Sequence, residues 1–187
     1  MTKRRFVALD RDGTVVEEKF HLTDPADLAL IPQAAVGMRQ MRDMGLGLIL
    51  ITNQSVIGSG KLDEAGLATV HQKLGEMLAG EEVTLDGIFY CPHTAQDSCH
   101  CRKPKPGLLE EAAEKIGFDL SESFLIGDKA SDIESGQAVG VTTFLVKTGY
   151  GAQVAEDGSA DPDYVVADLP EAARAIQGIL SAQNTKR

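Results

Sequence analysis

Residues 5–14 read RFVALDRDGT, and this stretch decides the fold class that the sequence predicts. Its first half is a largely apolar run of the kind found in a buried strand. Two aspartates follow at once, with Gly13 allowing a sharp turn after them. Further along the chain, five more short apolar runs alternate with segments of helical pattern. Such alternation indicates βαβ units, and therefore an α/β fold with a mostly parallel sheet covered by helices on both faces.

The predicted elements follow one another without an obvious break. The predicted strands span residues 5–9, 46–51, 87–90, 123–127, 142–146 and 164–167. The predicted helices span residues 32–45, 63–80, 106–118, 130–139 and 168–180. Neither an internal repeat nor a low-complexity linker interrupts the alternation. The sequence therefore predicts a single domain over residues 1–187, folded as a Rossmann-like three-layer sandwich.

Composition limits the partners of this domain. The net charge of −10 argues against a broad nucleic-acid or membrane surface, which would be basic. No apolar run approaches the ~20 residues of a membrane span, and the first residues lack a signal-peptide pattern. Three clustered cysteines do not make a disulfide framework, so we expect a reducing, cytoplasmic environment. We expect a monomer that acts on a small molecule, with positive charge gathered locally if that molecule is anionic.

Acidic side chains stand directly after two of the predicted strands. Asp10 and Asp12 follow the first strand, and Asp128 follows the fourth. Ligands of open α/β sheets bind beyond the carboxyl ends of the strands, so these carboxylates are predicted to share one site. Crowded negative charge requires a cation, and an oxygen-only ligand set suits Mg²⁺. The alternative is an ordinary turn at Asp12-Gly13 and a helix cap at Asp128.

A hydroxyl and a lysine come at the ends of the other two strands. Thr52, with the backbone amides after it, is a natural donor to a phosphate oxygen, although such a residue also forms local turns. Lys103 lies in the segment Lys-Pro-Lys-Pro, which should hold the chain extended and aim the ammonium group. Taken alone, Lys103 would be read as a solvated surface residue. Its position beside the other strand ends favours a phosphate-binding role.

All three cysteines fall within residues 91–101, in the pattern C-x-H-x5-C-x-C. Three thiolates and one imidazole form a closed tetrahedral set for a structural Zn²⁺, here from Cys91, His93, Cys99 and Cys101. His100 is an alternative fourth ligand, although its side chain should point away from its cysteine neighbours. A cluster of free thiols is another alternative. With zinc bound, residues 91–101 form a zinc loop that braces the chain just before Arg102 and Lys103.

Four segments in this order resemble the signature motifs of the haloacid dehalogenase (HAD) superfamily of phosphohydrolases. They are ALDRDGT (8–14), ITNQS (51–55), CRKPKPG (101–107) and IGDKASD (126–132). The resemblance covers about residues 5–150 and implies phosphoryl transfer through an aspartyl-phosphate. Asp10 would be the nucleophile, and Asp12 would protonate the leaving group and then activate water. Superfamily members that carry both aspartates tend to be phosphatases rather than dehalogenases or mutases.

The same resemblance implies which residues hold the metal and the phosphoryl group. The implied Mg²⁺ ligands are Asp10, the backbone carbonyl of Asp12, and Asp128. Thr52 and Lys103 would stabilise the transferring phosphoryl group. Asp132 would orient Lys103 or a metal-bound water.

The zinc loop narrows the resemblance to two families of small phosphatases. C-P-H followed by C-x-C-R-K-P is similar to the D-glycero-D-manno-heptose 1,7-bisphosphate phosphatases of the lipopolysaccharide-heptose pathway, and to the histidinol-phosphate phosphatases. TNQS with a following Gly60-Lys61, and Lys147-Thr148-Gly149, favour the heptose family. The spacing of five residues between His93 and Cys99 matches the histidinol-phosphate pattern, and Val56 is a second departure. Heptose 1,7-bisphosphate, hydrolysed to the heptose 1-phosphate, is the favoured substrate, and histidinol phosphate is the alternative.

Short loops, rather than a cap domain, are expected to select the substrate. Residues 15–31 are too few to build a cap, and no large insertion appears elsewhere. The predicted substrate contacts are Asn53, Gln54, Ser55, Arg102 and Lys129, with Lys19 and His21 as further candidates. Lys129 could instead pair with Asp132 or lie on the surface. His21, like His71, could be an ordinary surface or helix residue.

A function of another class has to be weighed against catalysis. A zinc-containing module could bind or process nucleic-acid ends, as related polynucleotide phosphatases do. The acidic charge and the lack of a basic stripe disfavour this reading. A non-catalytic relative would be expected to lack Asp10 or Asp12, and this chain has both. The sequence therefore favours a Mg²⁺-dependent phosphatase.

Overall fold

The computed structural model describes residues 4–185; the ends of the predicted domain, residues 1–3 and 186–187, lie outside the described residues. The strands are β1 (Phe6–Leu9), β2 (Gly47–Asn53), β3 (Gly87–Cys91), β4 (Phe124–Gly127), β5 (Thr142–Val146) and β6 (Tyr164–Val166). The helices are α1 (Ala34–Asp43), α2 (Ser55–Gly58), α3 (Glu64–Gly80), α4 (Gly107–Ile116), α5 (Ala130–Gln137), α6 (Gly151–Asp157) and α7 (Leu169–Thr185).

The six strands form one sheet in the order β3-β2-β1-β4-β5-β6, and every neighbouring pair is parallel. The strand order reverses between β1 and β4, where the chain leaves one half of the sheet and starts the other. Leu9, the last residue of β1, pairs with Leu50 of β2 and with Ile126 of β4. The carboxyl ends of these three strands therefore reach the same edge, at the switch point where doubly wound sheets bind ligands.

Helices cover both faces of the sheet. Successive residues of β1 point to opposite faces, so Val7 and Leu9 join one buried cluster while Phe6 and Ala8 join another. The first cluster includes buried side chains of α1, α3 and α7, and the second includes those of α4. This arrangement confirms the predicted α/β class and its three layers.

The structure corrects the sequence-based boundaries at several places. β2 ends at Asn53 rather than at residue 51, because Thr52 and Asn53 continue the ladder by pairing with Tyr90 and Cys91. The short helices α2 and α6 were not predicted, since segments of this length give no clear helical period. The last helix reaches Thr185. Among residues 4–185, no helix is both long enough and apolar enough to cross a membrane.

Candidate active site

Three buried carboxylates meet at the switch point. Asp10 comes directly after β1, Asp128 comes directly after β4, and Asp132 lies in the first turn of α5. One carboxylate oxygen from each lies within 4.8 Å of the others. Gly13, with φ of 87°, leaves room for this group, because a Cβ atom there would clash with the carboxylate of Asp128. The absence of a side chain at Gly13 therefore lets the carboxylate of Asp128 pack close to the backbone of the first loop.

Asp128 shows most clearly that the site is suited to a cation. Its Oδ2 accepts a hydrogen bond of 2.9 Å from the backbone of Tyr150, while its buried Oδ1 has no hydrogen-bond partner among the described residues. Burial, followed by the negative charge of Asp10, raises the pKa of Asp128 to about 8. A carboxylate in this state gains most from a cation. The carboxylates of Asp10, Asp128 and Asp132 thus fit a divalent metal ion that prefers oxygen ligands, such as Mg²⁺.

Lys103 is the buried cation of the site. Its Nζ lies 2.7 Å from Asp10 Oδ1 and 2.6 Å from Asp132 Oδ1, and it donates to the carbonyl of Ile51 at 2.9 Å. Burial alone would lower the pKa of Lys103, but the negative charges of Asp10 and Asp132 raise it. Asn53 fixes the backbone of Lys103 by accepting from its N–H and donating to its carbonyl, both at 3.1 Å.

The carboxylate of Asp12 is held away from the three-carboxylate cluster. Arg11 Nε lies 3.1 Å from both Asp12 oxygens, and Gln54 Nε2 donates to Asp12 Oδ2 at 2.9 Å. The same Gln54 amide donates to the Thr52 hydroxyl at 2.8 Å. Thr52 is therefore an acceptor in this contact, and its own proton is free to be donated to a ligand. The predicted metal contact of Asp12, through its backbone carbonyl, stays a prediction.

Asp12 and Lys103 line a cavity of about 400 Å³, and Lys103 connects it to the buried Asp10 and Asp132. Its rim carries three basic side chains, from Lys19, Arg102 and Lys129. The expected local positive charge is thus present in a chain whose net charge is −10. Ser55 and His21 also line the cavity, and the His21 ring packs at a tilt against the exposed ring of Phe20.

Lys129 pairs with a residue that the sequence did not suggest. Its Nζ lies 2.6 Å from Glu18 Oε2, so its side-chain partner is neither Asp132 nor solvent alone. Asp132 contacts only the backbone N–H of Lys129, at 3.0 Å. Although burial opposes it, the charges of Asp10, Asp128 and Glu18 raise the pKa of Lys129. Lys129 therefore stays positively charged, and an anionic ligand in the cavity can contact the same ammonium group that Glu18 contacts.

The four predicted zinc ligands lie together beside this cavity. Their ligand atoms all fall within 4.8 Å of one another. The Cys91 and Cys99 sulfurs are 3.8 Å apart, and His93 Nδ1 lies 3.2 Å from the Cys101 sulfur. Zn–S bonds of about 2.3 Å correspond to S···S edges of about 3.8 Å in a tetrahedron, so the cluster fits a Zn²⁺ ion. The closest sulfur pair, at 3.1 Å, lies beyond the ~2.05 Å of a disulfide.

The orientation of the two histidines distinguishes between the candidate fourth ligands. His93 faces the sulfurs, whereas His100 is exposed and lies 2.6 Å from Glu110. Arg102 donates to the carbonyl of His93 at 3.0 Å. The zinc loop thus holds Arg102 at the cavity rim, next in sequence to the buried Lys103.

Sequence reasoning missed two residues near Asp12. Arg11 is 1% exposed, and its Nη1 lies 3.4 Å from Nε2 of His71 on α3. Burial and the nearby Arg11 charge lower the pKa of His71 to about 4, so His71 is neutral rather than an ordinary surface histidine. The only sequence signal was a basic residue between two aspartates.

Asn53 and Gln54 also hold other site residues, and their predicted substrate contacts stay predictions.

Comparisons with known proteins agree with this geometry. A family model described as HAD-hydrolase-like matches residues 100–172. The D-glycero-beta-D-manno-heptose-1,7-bisphosphate 7-phosphatase of Escherichia coli K12 is 36% identical over 182 residues, covering 91% of this chain and 94% of that protein. The enzyme of the same name from Pasteurella multocida is 34% identical over 185 residues, covering 95% and 100%.

A solved structure shares the architecture closely. The D,D-heptose 1,7-bisphosphate phosphatase of B. bronchiseptica, complexed with magnesium and phosphate, superposes with a TM-score of 0.87. It is 30% identical, and the match covers 93% of this chain and 98% of that chain.

Proposed function

This chain belongs to the D,D-heptose 1,7-bisphosphate phosphatase family of HAD phosphatases and is a phosphoric monoester hydrolase, and we propose that it removes the 7-phosphate of a heptose 1,7-bisphosphate. The products are the heptose 1-phosphate and inorganic phosphate. The observation that carries the proposal is the buried cluster of Asp10, Asp128 and Lys103, whose lysine lines, together with Asp12, an open and positively rimmed cavity. That arrangement suits an attack on phosphorus beside a bound cation.

In the first step, Asp10 attacks phosphorus with one carboxylate oxygen. The P–O bond to the sugar breaks, and its electron pair stays on the sugar oxygen. Asp12 donates a proton to that oxygen, which leaves as an alcohol, and the phosphoryl group remains on Asp10 as an acyl phosphate. The buried Lys103 ammonium, 2.7 Å from Asp10, lies where it balances negative charge on the phosphoryl oxygens. Thr52 donates its hydroxyl proton to one of them.

In the second step, Asp12 has become a carboxylate and accepts a proton from water. The resulting hydroxide attacks phosphorus, the bond to the Asp10 oxygen breaks, and phosphate leaves. Both aspartates return to their initial states, so the cycle needs no co-reactant. A bound Mg²⁺ would supply a Lewis acid that offsets charge on the phosphoryl group. Asp10, Asp128 and the Asp12 carbonyl would hold it, while Asp132 stays paired with Lys103.

The second phosphate and the sugar are recognised at the cavity rim. Arg102 and Lys129 provide two cationic groups away from Asp10, and Lys19 provides a third. Lys19 is tied to the loop by a hydrogen bond of 2.6 Å to the carbonyl of Asp27. The residues between β1 and α1 contribute only a short loop to the rim, so the cavity is open to a polyhydroxylated chain. A bisphosphate satisfies both the buried site and the rim.

Phosphate release with Mg²⁺ tests the assignment. We expect kcat/KM for one anomer of the heptose 1,7-bisphosphate to exceed that for histidinol phosphate by about 10²-fold, which corresponds to about 2.7 kcal/mol of transition-state binding. Arg102→Ala should lower kcat/KM for the bisphosphate more than for p-nitrophenyl phosphate. Equal losses on both substrates would place Arg102 at the transferring phosphate instead.

One feature supports histidinol phosphate as a second candidate substrate. The spacing of five residues between His93 and Cys99 makes the zinc loop short, and Arg102 directly follows this loop. A preference for histidinol phosphate in the same assay would assign the chain to that reaction, while leaving the roles of Asp10 and Asp12 intact.

A further inference from the structure

The side chain of Arg11 is unusual because it is charged and yet almost completely buried. Its side chain is 1% exposed and folds back onto the residue that follows it. Nη2 lies 2.9 Å from Asp12 Oδ2, and Nε contacts both Asp12 oxygens at 3.1 Å. The planar guanidinium therefore grips the whole carboxyl group of Asp12 rather than a single oxygen.

Two further residues hold the guanidinium in place. Arg11 Nη2 donates to Gln54 Oε1 at 3.0 Å, and Nη1 faces His71 Nε2 at 3.4 Å. The amide nitrogen of the same Gln54 donates to Asp12 Oδ2, so Gln54 closes a ring with Arg11 and Asp12. His71 is neutral, which leaves its Nε2 able to accept from the guanidinium. A buried charge must be paired and hydrogen-bonded, and these contacts use all three guanidinium nitrogens.

The contacts from Arg11 and Gln54 leave part of the Asp12 carboxyl group exposed to the cavity. Arg11, Asp12 and Gln54 all line the cavity, but the Asp12 side chain is 14% exposed whereas that of Arg11 is 1% exposed. The contacts from Arg11 and Gln54 set the rotation of the Asp12 carboxyl group. The exposed part of the carboxyl group stays accessible to a ligand in the cavity.

We propose that Arg11 is a positioning residue for Asp12: its buried guanidinium, held by Gln54 and His71, fixes the carboxyl group in the orientation that protonates the leaving oxygen. The inference rests on the proposed role of Asp12 as acid and base. Arg11 itself exchanges no proton. Its contribution is to keep Asp12 within reach of an oxygen that is protonated only while the P–O bond breaks.

Leaving-group dependence tests this assignment. An alkyl phosphate needs a proton on its leaving oxygen, whereas p-nitrophenyl phosphate releases a stabilised anion that needs little protonation. We expect Arg11→Lys, which keeps a charge but loses the planar fork, to lower kcat/KM for the heptose bisphosphate by about 10²-fold. The loss on p-nitrophenyl phosphate should stay below about fivefold. Histidinol phosphate serves as the alkyl ester if the heptose bisphosphate is not a substrate.

His71→Phe gives a second test that keeps Arg11 and its charge but removes one of the contacts that hold the guanidinium. The variant keeps a ring against Tyr90, whose centroid is 5.7 Å away, but removes the acceptor that faces Arg11. It should show a smaller loss with the same selectivity for the alkyl ester. Equal losses on both esters in folded Arg11→Lys and His71→Phe, or no loss in either, would overturn the proposal.

Asp12→Asn separates this inference from the proposed function. If Asp12→Asn is selective for the alkyl ester and the Arg11 variant is not, the positioning role fails while the acid role stands. If Asp12→Asn lowers kcat/KM equally for both esters, the proposed acid role of Asp12 fails first.

Discussion

Lys103 and Asp10 are 93 positions apart in the chain, yet the ammonium of Lys103 donates to Asp10 Oδ1 at 2.7 Å. Asp132 lies on the other side of the same ammonium, at 2.6 Å. The carboxylate of Asp128 lies within 4.8 Å of those of Asp10 and Asp132. Three ionised carboxylates and one lysine leave two negative charges, which one divalent cation would balance. The pairing of Lys103 and Asp10 thus brings the proposed nucleophile, the proposed cation site and the proposed phosphate-binding group together.

Asp10→Asn should abolish phosphate release, because an amide cannot form the acyl phosphate. We expect kcat/KM to fall by at least about 10⁴-fold, while circular dichroism and the melting temperature report a folded protein. Asp43→Asn is the matched control, since Asp43 is an exposed carboxylate at the end of α1. Turnover retained in Asp10→Asn would remove Asp10 as the nucleophile.

Without metal, the contribution of Asp128 to stability should fall as pH rises from about 4 to about 8, and the fall should show most clearly above about pH 6.5, because His71, with its pKa lowered from 6.5 to about 4, contributes the opposite change at lower pH. The pKa of Asp128 is raised from 3.8 to about 8 by burial and by Asp10, so over this window the folded state keeps a proton that the unfolded chain has released. The unfolded state then binds fewer protons, and linkage makes the unfolding free energy decrease with pH. Mg²⁺ replaces that proton, so it should raise the melting temperature more at pH 8 than at pH 6.

Melting curves in EDTA and in Mg²⁺, across that pH range, check this behaviour. In Asp128→Asn the side chain no longer titrates and one ligand oxygen is lost. The variant should therefore show a weaker pH dependence of the melting temperature and a smaller increase in Mg²⁺. An unchanged response to Mg²⁺ in Asp128→Asn would contradict the assignment of Asp128 as a metal ligand.

Much of this site could be predicted from sequence because strand ends in a parallel sheet have a known location. Asp10 and Asp128 needed only the positions of β1 and β4 to be placed together. The zinc cluster was similarly local, since its ligands lie within residues 91–101.

The remaining contacts depend on side-chain directions between distant segments. Glu18 reaches Lys129 across 111 positions, and His71 reaches Arg11 across 60. Arg11 and Asp12 are neighbours in the sequence, so their contact is local. The buried guanidinium is stable only because Gln54 and His71 also form hydrogen bonds with it. Neither spacing nor hydrophobic period contains that information.

Glu18→Gln should improve binding of a bisphosphate. In the free protein, Glu18 Oε2 lies 2.6 Å from Lys129 Nζ. A second phosphate that binds Lys129 has to displace Glu18 or share the ammonium group with it. The pair is partly exposed, at 37% and 22%, and such pairs contribute about 1 kcal/mol or less. We therefore expect KM for the bisphosphate to fall by up to about fivefold, with little change for p-nitrophenyl phosphate.

Glu17→Gln is the control for this change, because Glu17 is the exposed neighbour of Glu18. Steady-state kinetics on both substrates provide the measurement. A higher KM in Glu18→Gln would instead indicate that Glu18 itself binds the substrate, as an acceptor for a sugar hydroxyl.

Cys101→Ser should lose zinc and weaken the loop that precedes Arg102 and Lys103. The Cys101 sulfur lies 3.1 Å from that of Cys91 and 3.2 Å from His93 Nδ1, so removing it opens the tetrahedral set. Metal analysis should find about one zinc per chain in the wild type and much less in the variant, and the melting temperature should fall by at least about 5 °C. His100→Gln should keep its zinc, because His100 faces Glu110. If zinc braces Arg102 and Lys103 rather than taking part in the reaction, kcat/KM should fall in proportion to the metal that is lost. A zinc-free variant with full activity would show that the brace is dispensable.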